Sequence, residues 1–136
     1  MQRLRGESGA TAVIVALLMI PLFGFAAISV DVGGLYFERR QLQNGADAAA
    51  LAIAQDCAKG VCGDIDATAR DFAGKNANDN AANATATTSG NAVTVTASTK
   101  NPDGSTGLRH FFAPVLGVDA TPVSYTHLTL PTNREV

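Results

Sequence analysis

The chain of 136 residues has no tryptophan, and aromatic residues make up only 6% of it. Strong charge of one sign is also missing. Ten Lys and Arg stand against twelve Asp and Glu, for a net charge of −2 at pH 7. These absences exclude the basic stripe interleaved with aromatics by which domains grip nucleic acid. Histidine occurs only twice, as His110 and His127, both late in the chain. No Ser/His/Asp or Cys/His set stands out, so the chain is read as a non-enzyme, with no cofactor and no small-molecule substrate. That argues against a secreted hydrolase. The two cysteines, with no further Cys and no nearby His, fall short of the four ligands of a structural zinc site.

Charge is absent altogether from residues 8–30, SGATAVIVALLMIPLFGFAAISV, closed by Glu7 on one side and Asp31 on the other. At about 1.5 Å per residue this run is long enough to cross a hydrocarbon core about 30 Å thick once. A buried core helix is the weaker reading, because the rest of the chain has too few large apolar residues to surround it. A cleaved secretory signal is the other, with Arg3 and Arg5 as its basic start and Gly24 and Ala26 at the cleavage site, yet signal cores are usually only about 7–15 residues long. Pro21 predicts a kink in mid-span, tolerated where neighbouring groups satisfy the freed carbonyl. Gly24, Ala26, Ala27 and Ser29 offer room for another helix. Residues 1–7 are expected to be a cytoplasmic tail.

Beyond Asp31 the chain allows one small domain, poor in large apolar residues, that needs a staple or a partner. Cys57 and Cys62, five positions apart around Gly60, are the disulfide candidates. Two free thiols are the alternative. A bridge there contributes about 2 kcal/mol on a chain-entropy model and requires an oxidising compartment such as the periplasm. Arg3 and Arg5 before the span nearly balance Arg39 and Arg40 after it, so the positive-inside count is close to a tie. The cysteine pair tips the orientation towards an amino terminus in the cytoplasm and a periplasmic domain.

After the span, Asp31 marks the membrane exit, and Tyr36 and Phe37 fit an interfacial position with Arg39 and Arg40 reaching headgroups. Gly33 and Gly34 are expected to loosen the helix. From Leu35 to Asp56 the pattern is helical: Leu35, Leu42, Ala46, Ala49 and Ile53 share a narrow, alanine-rich stripe. Glu38, Arg39, Gln43, Asn44 and Asp47 are assigned to the opposite side. The stripe packs either on its own domain or on neighbouring subunits.

The stretch 5–54, RGESGATAVIVALLMIPLFGFAAISVDVGGLYFERRQLQNGADAAALAIA, resembles the N-terminal region of TadG-like proteins of Flp (tight adherence) pilus assembly. That family has a basic start, a Gly/Ala-rich entry and a single span with a mid-span Pro. Asp-x-Gly-x-Leu-Tyr follows, then R-x-L-Q-N-x-A-D-A-A-A-L-A. Asp31, Gly33, Leu35 and Tyr36 fall on the first motif, with Gly34 accommodated. Arg40, Leu42, Gln43, Asn44, Ala46, Asp47, Ala48, Ala49, Ala50 and Leu51 fall on the second. The resemblance implies an inner-membrane protein of a pilus or secretion machine, with the lipid bilayer and other pilus-assembly or pilin-like subunits as partners. TadE-like and pilin-like relatives carry a Glu inside the apolar entry. The aligned place here is near Ile14, so prepilin-type processing is not carried over. Longer TadG-like proteins carry an Asp-x-Ser-x-Ser metal site. This sequence lacks that motif, so metal-dependent adhesion is not carried over either.

Asp64 is the expected cap of a second helix, with Asp66 in its first turn and Ile65, Ala69 and Phe72 on one face. Gly74 and the Asn-rich run from Asn76 end it. Residues 85–99 turn to strands, with Val93, Val95 and Ala97 alternating with Thr94, Thr96 and Ser98. Gly90-Asn91 signals a hairpin and Asn101-Pro-Asp-Gly104 a turn. Leu108, Phe111, Phe112, Val115 and Leu116 are expected to form an apolar helical face with His110 on its surface, followed by a strand over 120–124. Residues 125–136, YTHLTLPTNREV, break the trend and resemble a translated adapter tail. They are expected to contribute no core contacts, the native chain having been truncated near Ser124.

The expected architecture is α+β. A single N-terminal transmembrane helix continues into an amphipathic helix, then a small domain with short helices and an antiparallel sheet spans residues 31–124. The expected role is that of an inner-membrane-anchored structural component of Flp/Tad pilus assembly. The alternatives are a minor pilin-like subunit of the fibre, or a signal-cleaved secreted protein.

Overall fold

The computed structural model describes residues 7–129. The basic start with Arg3 and Arg5, and residues 130–136 of the ending, lie outside the described residues. One helix, α1 (Glu7–Ala58), runs 52 residues, about 78 Å at the standard rise. It continues through Pro21, and Gly33 and Gly34 do not interrupt it. Gly34 instead faces Leu108, whose Cδ2 lies 3.9 Å from where a Cβ would stand. Its first half is apolar on every side and exposed: Ile20 is 70% accessible and Phe25 also 70%. Its second half is a core helix, with Leu42, Ala46, Ala49, Ala50 and Ile53 all buried. In this chain, then, the alanine stripe packs on its own domain.

A disulfide joins Cys57 to Cys62 across the turn that follows, their Cα atoms 4.0 Å apart. Helix α2 (Ile65–Asn76) starts where Asp64 Oδ1 accepts from the Ala67 amide at 2.9 Å. Asp66 in its first turn accepts from the Ala86 amide at 2.8 Å, which docks the helix on the sheet. Ala69 and Ala73 face α1 in the core, with Ile65 and Phe72 half-buried beside them.

Strands β1 (Ala82–Ser89) and β2 (Ala92–Thr99) form a hairpin around Gly90 and Asn91. Gly90 takes φ 58°, the positive value that a two-residue hairpin turn asks of its first residue. Val93, Val95 and Ala97 point into the core and the threonines between them point away, as the alternation requires. The 101–104 turn closes through the Gly104 amide on the Asn101 carbonyl at 2.9 Å.

The next segment departs from expectation. Leu108 lies in a short strand, β3 (Gly107–Arg109), which pairs antiparallel with β4 (Ala120–Pro122). Only Ala113–Leu116 is helical, as a single 3-10 turn, because Pro114 lacks an amide and the β3–β4 ribbon forces the chain to reverse. His110 is therefore not on a helix surface; it is half-buried at the ribbon's end.

The strand expected over 120–124 breaks at Val123, and β5 (Ser124–Thr129) follows it. β5 pairs antiparallel with β2, giving the sheet order β1-β2-β5. Tyr125 packs half-buried against the core. The expectation that residues beyond Ser124 make no core contact is thus overturned. The edge of β2 opposite β1, which β5 occupies, offers backbone donors and acceptors that an extended segment can pair with through its main chain. Both helices lie on one face of this sheet, α1 over β2 and β5 and α2 over β1. The fold is α+β, with a small alanine-rich core between the two layers.

Candidate functional site

The site grows from one carboxylate on the long helix. Asp31 stands where the apolar run ends, yet it is only 8% accessible. Its Oδ1 accepts from the Phe111 amide at 2.8 Å, and its Oδ2 from the Ala113 amide at 2.7 Å and the Phe112 amide at 3.1 Å. Three successive amides converging on one anion form a nest, and each bond is charge-assisted. Burial works to raise the Asp31 carboxyl, and the donors at Phe111, Ala113 and Phe112 outweigh it, leaving it below the ordinary aspartate range. Beside it, His110 Nε2 shares a hydrogen bond of 2.8 Å with Thr121 Oγ1. The His110 amide bonds the Asp119 carbonyl at 3.0 Å, closing the loop's neck. The loop of residues 111–118 is thereby clasped to the flank of α1, 80 residues away in sequence.

Two turns further along α1, Glu38 is buried and accepts from Thr99 Oγ1 at 3.0 Å. Its placement on the outer, polar side is corrected: it faces the domain. Burial pushes its carboxyl above the ordinary glutamate range, Thr99 partly offsets this, and Asp79 adds to it. A carboxyl raised on folding binds more protons in the folded state. Its stability contribution therefore falls as pH rises through the ordinary glutamate range towards the raised value, and is flat above it. Glu38→Gln keeps the oxygen that Thr99 needs and removes the charge. The variant is expected to raise the melting temperature of the full chain in detergent micelles near neutral pH, with the gain vanishing towards about pH 4, where both states protonate Glu38. An equal loss of stability at both pH values would refute the buried charge as the source of strain.

The other positions singled out in the sequence separate into two sets. Leu42, Ala46, Ala49 and Ala50 are core, Leu35 sits half-buried at its edge, and Ala48 is half-buried. Gly33, Gln43, Asn44 and Leu51 face outward, and Arg40 stacks over the exposed Tyr36 ring at 5.8 Å. Asp47 is half-buried and its Oδ1 lies 2.6 Å from His127 Nδ1. Cys57 and Cys62 meet each other at the far end of α1 and take no part in the Asp31 clasp. Sequence reasoning missed Gly45, where an added Cβ would stand 2.9 Å from the Ala73 Cα of α2, and Gln41, whose Oε1 takes the Asn78 amide at 2.6 Å. Gly inside an alanine-rich helical stripe was the available signal for the first. No local signal marked the second.

Among the described residues, one helix is long and apolar enough to cross a membrane, and its most apolar window is not buried by any of them. The chain thus joins one helix with the length and composition of a membrane span to a small α+β domain at its end. Residues 9–56, which hold the apolar run and Asp31, match the family described as putative Flp pilus-assembly TadE/G-like. That match spans nearly all of α1 and coincides with the stretch whose sequence resembles the TadG-like amino terminus. No curated protein and no solved structure matches the chain.

Proposed function

We propose that this protein is an inner-membrane-anchored structural component of Flp pilus assembly, with its amino terminus in the cytoplasm and its domain in the periplasm. The observation that carries the proposal is the coincidence of the family match with α1. One half of that helix is an uncovered apolar rod, and the other half is fixed into the core of the domain. A helix built this way transmits position between the bilayer and the domain, since its buried half does not turn without breaking the core. The proposed boundaries are a cytoplasmic tail at 1–7, a span at 8–30 and a periplasmic domain at 31–124. Residues 125–136 are proposed to be foreign to the native chain, with residues 125–129 filling a strand position beside β2. Partners are the bilayer and neighbouring pilus-assembly or pilin-like subunits, reached by helix packing. The function is contact and anchoring, not catalysis.

The test is made on protein from cells. Intact mass of the membrane fraction is expected to correspond to an uncleaved span. Alkylation before and after reduction is expected to find Cys57 and Cys62 blocked until reductant is added, since their bond persists only in an oxidising compartment. A mature chain starting near Ala27 in the soluble periplasm would refute the anchor. Two thiols reactive without reductant would refute the orientation. Recovery in sheared surface fibres in place of the inner membrane would select the minor pilin-like subunit.

A further inference from the structure

We propose that the 111–118 loop is a second membrane-inserting element, seated among phospholipid acyl chains beside the span. The inference rests on the reading of residues 8–30 as a transmembrane segment. Residues 111–118 read FFAPVLGV, with no charge and no polar side chain between His110 and Asp119. Phe111, Val115 and Leu116 are 83%, 88% and 79% accessible, so this apolar tip has no cover among the described residues.

The position of the tip decides what covers it. A cleft of about 520 Å³ lies between α1 and the loop, lined by Phe23, Ala27 and Val32 on the helix and Phe112, Val115 and Leu116 on the loop. Phe23 precedes Asp31 by eight residues, about 12 Å along the helix axis. A loop that shares a cleft with Phe23 and Ala27 therefore reaches back alongside the uncharged run. If that run lies in hydrocarbon, so does the tip.

The backbone is prepared for that depth. Hydrocarbon supplies no partner for an exposed amide, so inserted loops must satisfy their own. The Phe111, Phe112 and Ala113 amides are held by Asp31. Pro114 has none to satisfy. The Val115 amide bonds the Phe112 carbonyl, the Gly117 amide the Pro114 carbonyl and the Val118 amide the Ala113 carbonyl, at 3.0–3.2 Å. The same arrangement hides the Asp31 charge, which is costly when it faces lipid. The clasp thus serves the carboxylate and the loop together.

The chain has no tryptophan, so a single introduced indole reports its own surroundings. Full-length Val115→Trp and Leu116→Trp, each at an exposed site that leaves the core untouched, are reconstituted in phosphatidylcholine vesicles brominated at mid-acyl positions. Phe23→Trp reports the span, and Asn91→Trp the exposed hairpin turn. The loop variants are expected to lose about half of their emission relative to unbrominated vesicles, as Phe23→Trp does, in keeping with apolar groups set about 5–10 Å into the interface. Asn91→Trp is expected to keep its emission. Quenching of Phe23→Trp with none at either loop position would overturn the proposal and leave the span standing, and the patch would then belong to another protein chain or to water. Absence of quenching at Phe23→Trp would overturn the span reading itself, and the proposal with it.

Discussion

Deletion of residues 125–136 is expected to destabilise the domain by on the order of 3 kcal/mol or more, by the loss of a full ladder of cross-strand pairs together with buried area. β5 pairs with β2 from Ser98↔Ser124 to Val93↔Thr129, six residues in register. β2 is the middle strand, and Val95 and Ala97, both fully buried, would lie at an open edge without it. Tyr125 would leave the core margin. The Thr96–Thr126 hydroxyl pair at 3.1 Å and the contact between His127 and Asp47 would go as well. The measurement is thermal unfolding of the full chain and the truncated chain in the same micelles. An unchanged melting temperature would refute β5 as part of the fold. If residues 125–129 act only as an edge strand, replacing them with an alternating Thr/Val segment restores most of the loss, because the ladder is made by the backbone.

That experiment bears on what the sequence made legible. Elements with a local cause were readable: the cap at Asp64, the alternation from Val93 to Ala97, the Gly90-Asn91 turn and the long uncharged run all carry their reasons within a few residues. β5 was not readable from its own sequence, because a short segment of Tyr, Thr, His and Leu has no strong pattern and the open edge of β2 selects it. The 108–116 segment was misread for a related reason. Phe111, Phe112, Val115 and Leu116 have helical spacing, but Pro114 and the pairing of Leu108 with Thr121 override it. Asp31 was seen as a boundary marker, and its partners lie 80 residues away. Glu38 was placed on the polar face because it is charged. Its burial depends on Thr99, 61 residues on. Of the candidate site, only Asp31 was visible in the family motif, and its work was set by long-range contacts.

The second large effect is expected at Gly45, which lies inside that motif between Asn44 and Ala46. A Cβ built on Gly45 would stand 2.9 Å from the Cα of Ala73 and 3.5 Å from the Phe72 carbonyl oxygen. The first obstacle is backbone, so relief requires α2 to shift as a body. Such a shift is opposed at both ends of the helix. The Cys57–Cys62 bridge tightens the turn that leads into its start, Asp66 ties it to β1 through the Ala86 amide, and just past its end the Asn78 amide donates to Gln41 Oε1 of α1. Alanine gains about 1 kcal/mol of helix propensity over glycine at an exposed position. Here the crowding outweighs that gain, and Gly45→Ala is expected to be destabilising. Gly45→Leu adds three more carbons to a contact already too close and is expected to cost about 3 kcal/mol or more, lowering the melting temperature by roughly 10–20 °C. Gly33→Ala is the internal control, since a Cβ there meets nothing within 4 Å on the same helix. It is expected to leave stability unchanged or slightly higher. Equal melting temperatures for Gly45→Leu and the parent chain would remove the close crossing of α1 and α2. The alanine stripe would then be free to meet another subunit instead of its own domain.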